Sequence, residues 1–159
     1  MYIKRLQNTA VIIRTYCNAQ ISKQVGNLLS YGVGLIVVVI NSSEDCKSTI
    51  GYLGDLKNHK RVRIIEMCDG YTRSNALNRA MMSIKMSNLD KKTNDQMRYI
   101  LNCSVEVLLK KHQLESMLDA ASDNPDCGVV GTTHQGLLNN TSVTLGRSYS
   151  HPKNTCMLI

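Results

Sequence analysis

The sequence predicts an α/β domain, a mostly parallel sheet with helices on both faces. Three observations lead there. Strand-like and helix-like segments alternate along most of the 159 residues, as in a sheet built from βαβ units. One strand segment, Leu35 to Ile40 (LIVVVI), is apolar throughout, the mark of a parallel strand buried on both sides. Finally, seven Tyr with no Phe and no Trp leave the core to Leu, Ile, Val and Met.

The elements follow in order. Ala10 to Thr15 (AVIIRT) is rich in β-branched residues and reads as a strand. Ala19 to Tyr31 carries Ile21, Val25, Leu28 and Leu29 at helical spacing, and Gly32 and Gly34 break it. After the Leu35 to Ile40 strand, Ser42 or Ser43 caps a helix with Glu44 and Asp45 in its first turn, running toward Leu56. Val62 to Met67 is a third strand, and Cys68-Asp69-Gly70 turns the chain. Thr72 to Ile84 reads as a helix on Leu77, Ala80, Met81 and Ile84. The polar stretch Ser87 to Gln96 reads as a loop. Met97 to Leu101 is a fourth strand, ending in the polar cluster Asn102-Cys103-Ser104. Leu108 to Ser122 is a helix on Leu114, Met117, Leu118 and Ala121, stopped by Asn124-Pro125-Asp126. Cys127 to Thr132 is a fifth strand. Beyond it only Thr155 to Ile159 hints at another.

Composition narrows the function. Lys and Arg outnumber Asp and Glu by 19 to 12, for a net charge of +7. That balance suits anionic ligands such as nucleotide phosphates, and equally a solvated basic surface. The basic residues are dispersed, which argues against a nucleic-acid stripe. None of the six cysteines forms a C-x-x-C pair, and no His sits at zinc-finger spacing; they read as reduced thiols in a cytoplasmic protein. No signal peptide or transmembrane segment is expected, since the longest apolar run is far too short to span a bilayer. His134 would follow the fifth strand, either lining a cleft or lying in a surface loop.

Four segments carry a resemblance. Val11 to Asn18 (VIIRTYCN), Val37 to Asp45 (VVVINSSED), Gly70 to Ala80 (GYTRSNALNRA), and Ile100 to Val107 (ILNCSVEV) followed by Asn124 to Gly131 (NPDCGVVG) stand in order along the chain. Together they resemble the family 2 glycosyltransferases, in particular the rhamnosyltransferase-like branch, over roughly residues 9 to 132. The resemblance implies the GT-A nucleotide-sugar-binding architecture. It implies a single nucleotide-sugar-binding domain over 1–159, without the acceptor-binding half. The partner would be a nucleotide-diphosphate sugar, with a saccharide, lipid-linked or protein acceptor; a homo-oligomer is compatible with the sequence. Thr15, Tyr16, Asn41 and Ser42 would meet base and ribose, and Asp45 would brace their loop. Arg73 would meet the diphosphate near a helix amino terminus, or else is an exposed helix residue. Asn78 belongs to the same motif and reads first as satisfying backbone groups between helix and strand.

The departures from that pattern are informative. The family's first-turn proline is Arg14 here, its base-reading aspartate is Ile40, and its metal-binding aspartate is Ser104. Asn102 and Ser104 occupy the strand end where Mn²⁺ or Mg²⁺ would need a carboxylate. Glu106 is the nearest acid, expected to share a strand face with Ser104. No residue is assigned as the general base that transfer requires. Two function classes remain: a glycosyltransferase or its nucleotide-sugar-binding half, and a catalytically silent interaction module on the same fold. A dinucleotide-binding oxidoreductase is disfavoured, because Thr15-Tyr16-Cys17 stands where a G-x-G-x-x-G turn would be.

Overall fold

The computed structural model describes residues 2–40, 43–67 and 72–124, with side chains at 4–40, 47–67, 72 and 74–124, and the backbone of three short strands beyond. The elements are α1 (Tyr2–Gln7), β1 (Thr9–Thr15), α2 (Gln20–Tyr31), β2 (Leu35–Ile40), α3 (Ser43–Leu53), β3 (Val62–Glu66), α4 (Arg73–Leu89), β4 (Tyr99–Ser104), α5 (Lys111–Asp123), β5 (Val130–Thr132), β6 (Val143–Leu145) and β7 (Met157–Leu158). Short 3-10 turns follow α3 (Gly54–Asn58) and precede β4 (Thr93–Asp95).

The strands lie in the order β3-β2-β1-β4-β7-β5-β6. The first four are mutually parallel, and β7, β5 and β6 add antiparallel pairings. The fold is therefore α/β with a mostly parallel sheet, and helices cover both faces. Strand alternation builds two cores. Val11, Ile13, Ile36, Val38, Leu101 and Cys103 pack against α2, α3 and α5. Ala10, Ile12, Val37 and Val39 pack against Ala76, Ala80 and Ile84 of α4. Because β2 contributes to both, each of its six residues is buried.

Two glycines set the turn between α2 and β2. Gly32 closes α2 with φ +91°, and the amides of Gly32 and Val33 donate to the carbonyls of Leu29 and Leu28 at 3.1 and 3.3 Å, a left-handed cap that glycine adopts without strain. Gly34 donates to the carbonyls of Leu6 and Thr9, both at 3.1 Å. A Cβ there would overlap the carbonyl of Gln7, so α1 docks only on a bare backbone.

Three boundaries differ from the sequence reading. The strand expected at Met97 to Leu101 is Tyr99–Ser104, because Asn88 grips Met97 by both backbone groups, donating to its carbonyl at 3.1 Å and accepting from its amide at 2.8 Å. Asn102, Cys103 and Ser104 thus lie in the strand rather than after it. The expected loop at Ser87 begins instead with the last turn of α4, which ends at Leu89. No residue there breaks a helix, and the exposure of Met86 and Leu89 hides the amphipathic signal. Helix α5 starts at Lys111 rather than Leu108, since the Lys110 amide donates to Gln113 Oε1 at 2.9 Å and closes the first turn. Helix α1 and strand β6 were not foreseen. The expected strand start at Cys127 and His134 lie outside the described residues.

Candidate functional site at the carboxyl rim of the sheet

Parallel pairing sends the ends of β1, β2, β3 and β4 to a single rim. Register places Thr15 beside Ile40, Ile40 beside Glu66, and Arg14 beside Ser104. In open α/β sheets ligands bind outside this edge.

The loop after β1 is held from below. Thr15 is buried, and its hydroxyl donates to the Tyr16 carbonyl at 2.7 Å. Thr49 of α3, also buried, donates to the same carbonyl at 2.9 Å. The Tyr16 side chain stands 58% exposed above this anchor. Asn18 leads into α2, its side chain accepting from the Gln20 amide at 2.9 Å.

The end of β4 is held by Gln24, a buried polar residue of α2. Its Nε2 donates to the carbonyls of Ser104 and Val107 at 3.1 and 2.8 Å, and lies 3.3 Å from Cys103 Sγ. The Val107 amide returns to the Ser104 carbonyl at 3.1 Å. This closes a turn, so the chain leaves the strand direction at Val105. The expectation that Glu106 shares a strand face with Ser104 is thereby corrected: Glu106 is exposed in the turn beyond β4.

Arg14, Asn102 and Ser104 lie on the face that packs α4, by alternation from Ile12 and Ile100. Asn102 is 8% exposed, and its Oδ1 is buried without a hydrogen bond to any described residue. Such an acceptor is costly unless something donates to it. Helix α4 covers this face and begins at the rim, with Ala76 of its first turns packed in the same core as Met67 just after β3. Thr72 caps it, its hydroxyl accepting from the Asn75 amide at 3.3 Å. The amino end of a helix of this length favours an anion.

The structure thus brings Thr15, Tyr16, Asn102, Ser104 and the backbone of Arg73 to one rim. Asn41 and Ser42, next after β2, and the side chains of Asp45 and Arg73 lie outside the described residues. Asn78 is exposed on α4, one turn further along. Three contributors were missed. Arg14 stood out only as a departure from a proline. Gln24 interrupts the apolar stripe of Ile21, Val25 and Leu28, and Thr49 sits beside Ile50 on the inner face of α3; a polar residue on an apolar stripe was the available signal in both.

At the ends of β1 and β4 the described side chains offer hydroxyl, amide and guanidinium groups, whereas Mn²⁺ or Mg²⁺ calls for carboxylate oxygen; Glu66 ends β3 at the same rim. Among the described residues no three of His, Cys, Asp and Glu come together.

A separate groove runs between the outer edge of β3 and α4, lined by Arg63, Ile65, Arg79, Met82 and Met86. Met82, Met86 and Leu89 are 65%, 64% and 74% exposed and follow one another at i, i+4 and i+7 on the helix. Among the described residues no helix is long and apolar enough to cross a membrane. The chain matches no family model and no curated protein.

Proposed function

We propose that this domain binds a nucleotide-diphosphate sugar at the carboxyl rim, as the donor-binding part of a glycosyltransferase of GT-A type. The observation that carries the reading is the buried Oδ1 of Asn102, which has no hydrogen bond to any described residue, at a parallel-strand rim on the face where α4 begins. In this reading the exposed Tyr16 ring covers the base, Asn102 accepts a donor hydrogen from the ligand, and the first turn of α4 faces the diphosphate. In transfer, the bond between the sugar's anomeric carbon and the diphosphate oxygen breaks and its electron pair leaves with the nucleotide. The acceptor oxygen bonds to that carbon and gives up its proton to a base; no residue of this chain is assigned that role.

Thermal-shift titration with uridine, guanosine and thymidine diphosphates, with and without Mn²⁺, tests the reading. Ligand at ten times its Kd should stabilise the fold by about 1.4 kcal/mol, a rise of about 3–6 °C in Tm for a domain of this size. At least one nucleotide should produce it. Absence of a shift with all three would overturn the proposal.

The second reading, an interaction module, is favoured by the groove along β3. Its exposed methionines and its flanking Arg63 and Arg79 suit an extended protein segment carrying apolar and acidic side chains. A segment of that composition that binds, with no nucleotide that does, would select it.

A further inference from the structure

We propose that the free edge of β3 takes an extended segment of a partner protein as an added strand, one with apolar side chains at alternate positions and an acidic residue at the end nearer the rim. This rests on the second reading above and supplies its mode of contact; the nucleotide site is separate from it. β3 is the outermost strand of the sheet. Its ladder with β2 runs from the Ile36 amide, which donates to the Arg61 carbonyl at 2.7 Å, to the Met67 amide, which donates to the Ile40 carbonyl at 2.9 Å. In the register of these two strands, Arg63 and Ile65 turn their backbone groups toward β2, whereas Val62, Ile64 and Glu66 turn theirs outward. The Val62 amide is taken by the His59 carbonyl at 2.8 Å. The Val62 carbonyl, both backbone groups of Ile64 and the Glu66 amide have no hydrogen bond among the described residues. Such a row is a template for another strand.

The side chains along the edge select the kind of strand. A charged residue on an edge ordinarily guards it, but Arg63 is drawn back onto α4, donating to the carbonyl and the hydroxyl of Ser83 at 3.0 and 2.7 Å. With Met67 and Ala76 sharing a core at the rim, that tether sets α4 antiparallel to β3. Beside the open edge α4 therefore presents, from the rim downward, Arg79, Met82 and Met86. The two methionines are about 6 Å apart along the helix, and alternate residues of a strand are about 6.6 Å apart, so two apolar side chains of the added strand meet them. Methionine adapts its shape to such contacts. Arg79 is exposed and makes no hydrogen bond or ion pair among the described residues. Asp90 lines the opposite end of the groove, and Glu66 lies on the other face of β3, by alternation from Ile65. A carboxylate is thus favoured beside Arg79 and not below it. The net charge of +7 opposes a second copy of the chain here and favours an acidic partner.

Fluorescence-anisotropy titration of the full chain with capped peptides of about nine residues, alternating Val and Thr with Asp at the first or the last position to cover both strand directions, tests this. At least one should bind, and the same peptide with Lys for Asp should bind about fivefold more weakly. Arg79→Glu should reverse that preference. M82S/M86S should weaken binding by about tenfold or more. Both variants should keep the wild-type circular dichroism, because the altered side chains are exposed. Bound peptide should slow hydrogen–deuterium exchange at the Ile64 and Glu66 amides and leave the Val62 amide, already bonded, unchanged. Binding without slowed exchange at Ile64 would overturn the added strand while leaving the groove as an interaction site. Affinities for the Asp and Lys peptides within about twofold of each other would overturn the acidic partner. No binding of any peptide would overturn this proposal and the interaction-module reading together, with the nucleotide reading untouched. A free chain that dimerises in sedimentation velocity with its Ile64 amide already protected would make a second copy the occupant and overturn the proposal as well.

Discussion

Replacing Gln24 by alanine should destabilise the protein by about 2 kcal/mol and loosen the end of β4. The magnitude follows from its contacts. Gln24 is 1% exposed, and its amide nitrogen has two hydrogens, which serve the carbonyls of Ser104 and Val107. Each buried hydrogen bond contributes about 1 kcal/mol net, with no stranded acceptor to add, since the Val107 carbonyl keeps the Leu109 amide at 3.0 Å and the Ser104 carbonyl keeps the Val107 amide at 3.1 Å. The lost methylene contributes about 0.8 kcal/mol. Against these, the buried Oε1 of Gln24 makes no hydrogen bond to any described residue, and removing it returns part of the cost. About 2 kcal/mol remains, a sizeable share of the roughly 5–15 kcal/mol typical of a domain, and Tm should fall by about 4–8 °C. Urea denaturation followed by circular dichroism measures it. Gln24→Glu should cost at least as much, since it aims an acceptor at two carbonyl oxygens. A loss below about 1 kcal/mol in both variants would show that the turn after β4 holds without α2, and the reasoning would fail.

Three further outcomes are expected. Thr49→Val should cost about 1 kcal/mol through its lost hydrogen bond to the Tyr16 carbonyl and should raise amide exchange in the loop after β1, measured by hydrogen–deuterium exchange. Gly34→Ala should cost more than about 2 kcal/mol, because its Cβ meets the Gln7 backbone; detachment of α1, seen as early proteolysis near Asn8, should accompany it. Arg61 donates to the carbonyls of Val33 and Leu29 at 2.9 and 3.2 Å, so Arg61→Ala should lower stability by about 1–2 kcal/mol by uncapping α2, with nucleotide affinity unchanged.

The apolar periodicity of β1, β2 and α2 made those elements legible, because each buries its apolar residues at its own period. The end of β4 was misjudged, for its register is fixed by Asn88 and by the Asn8 carbonyl, which accepts from both Arg98 and Tyr99 at 2.8 and 3.2 Å. The Asn8 contacts are long-range, and no local window contains them. The same holds for the site. Tyr16, Asn102 and Ser104 could be picked from their positions after or near apolar runs. The pairing of Arg14 with Ser104 exists only through the register of two strands separated by α2, β2, α3, β3 and α4. Helix α1 escaped notice since its six residues, YIKRLQ, are too few to display a period.

Amide chemical shifts during titration with uridine diphosphate in EDTA test the central claim most directly. The account predicts that the largest shifts fall on residues 14–18, 72–75 and 102–107, all at the carboxyl rim, while Arg63, Met82 and Met86 in the β3–α4 groove stay in place. Shifts confined to that groove, or none at any residue, would contradict it.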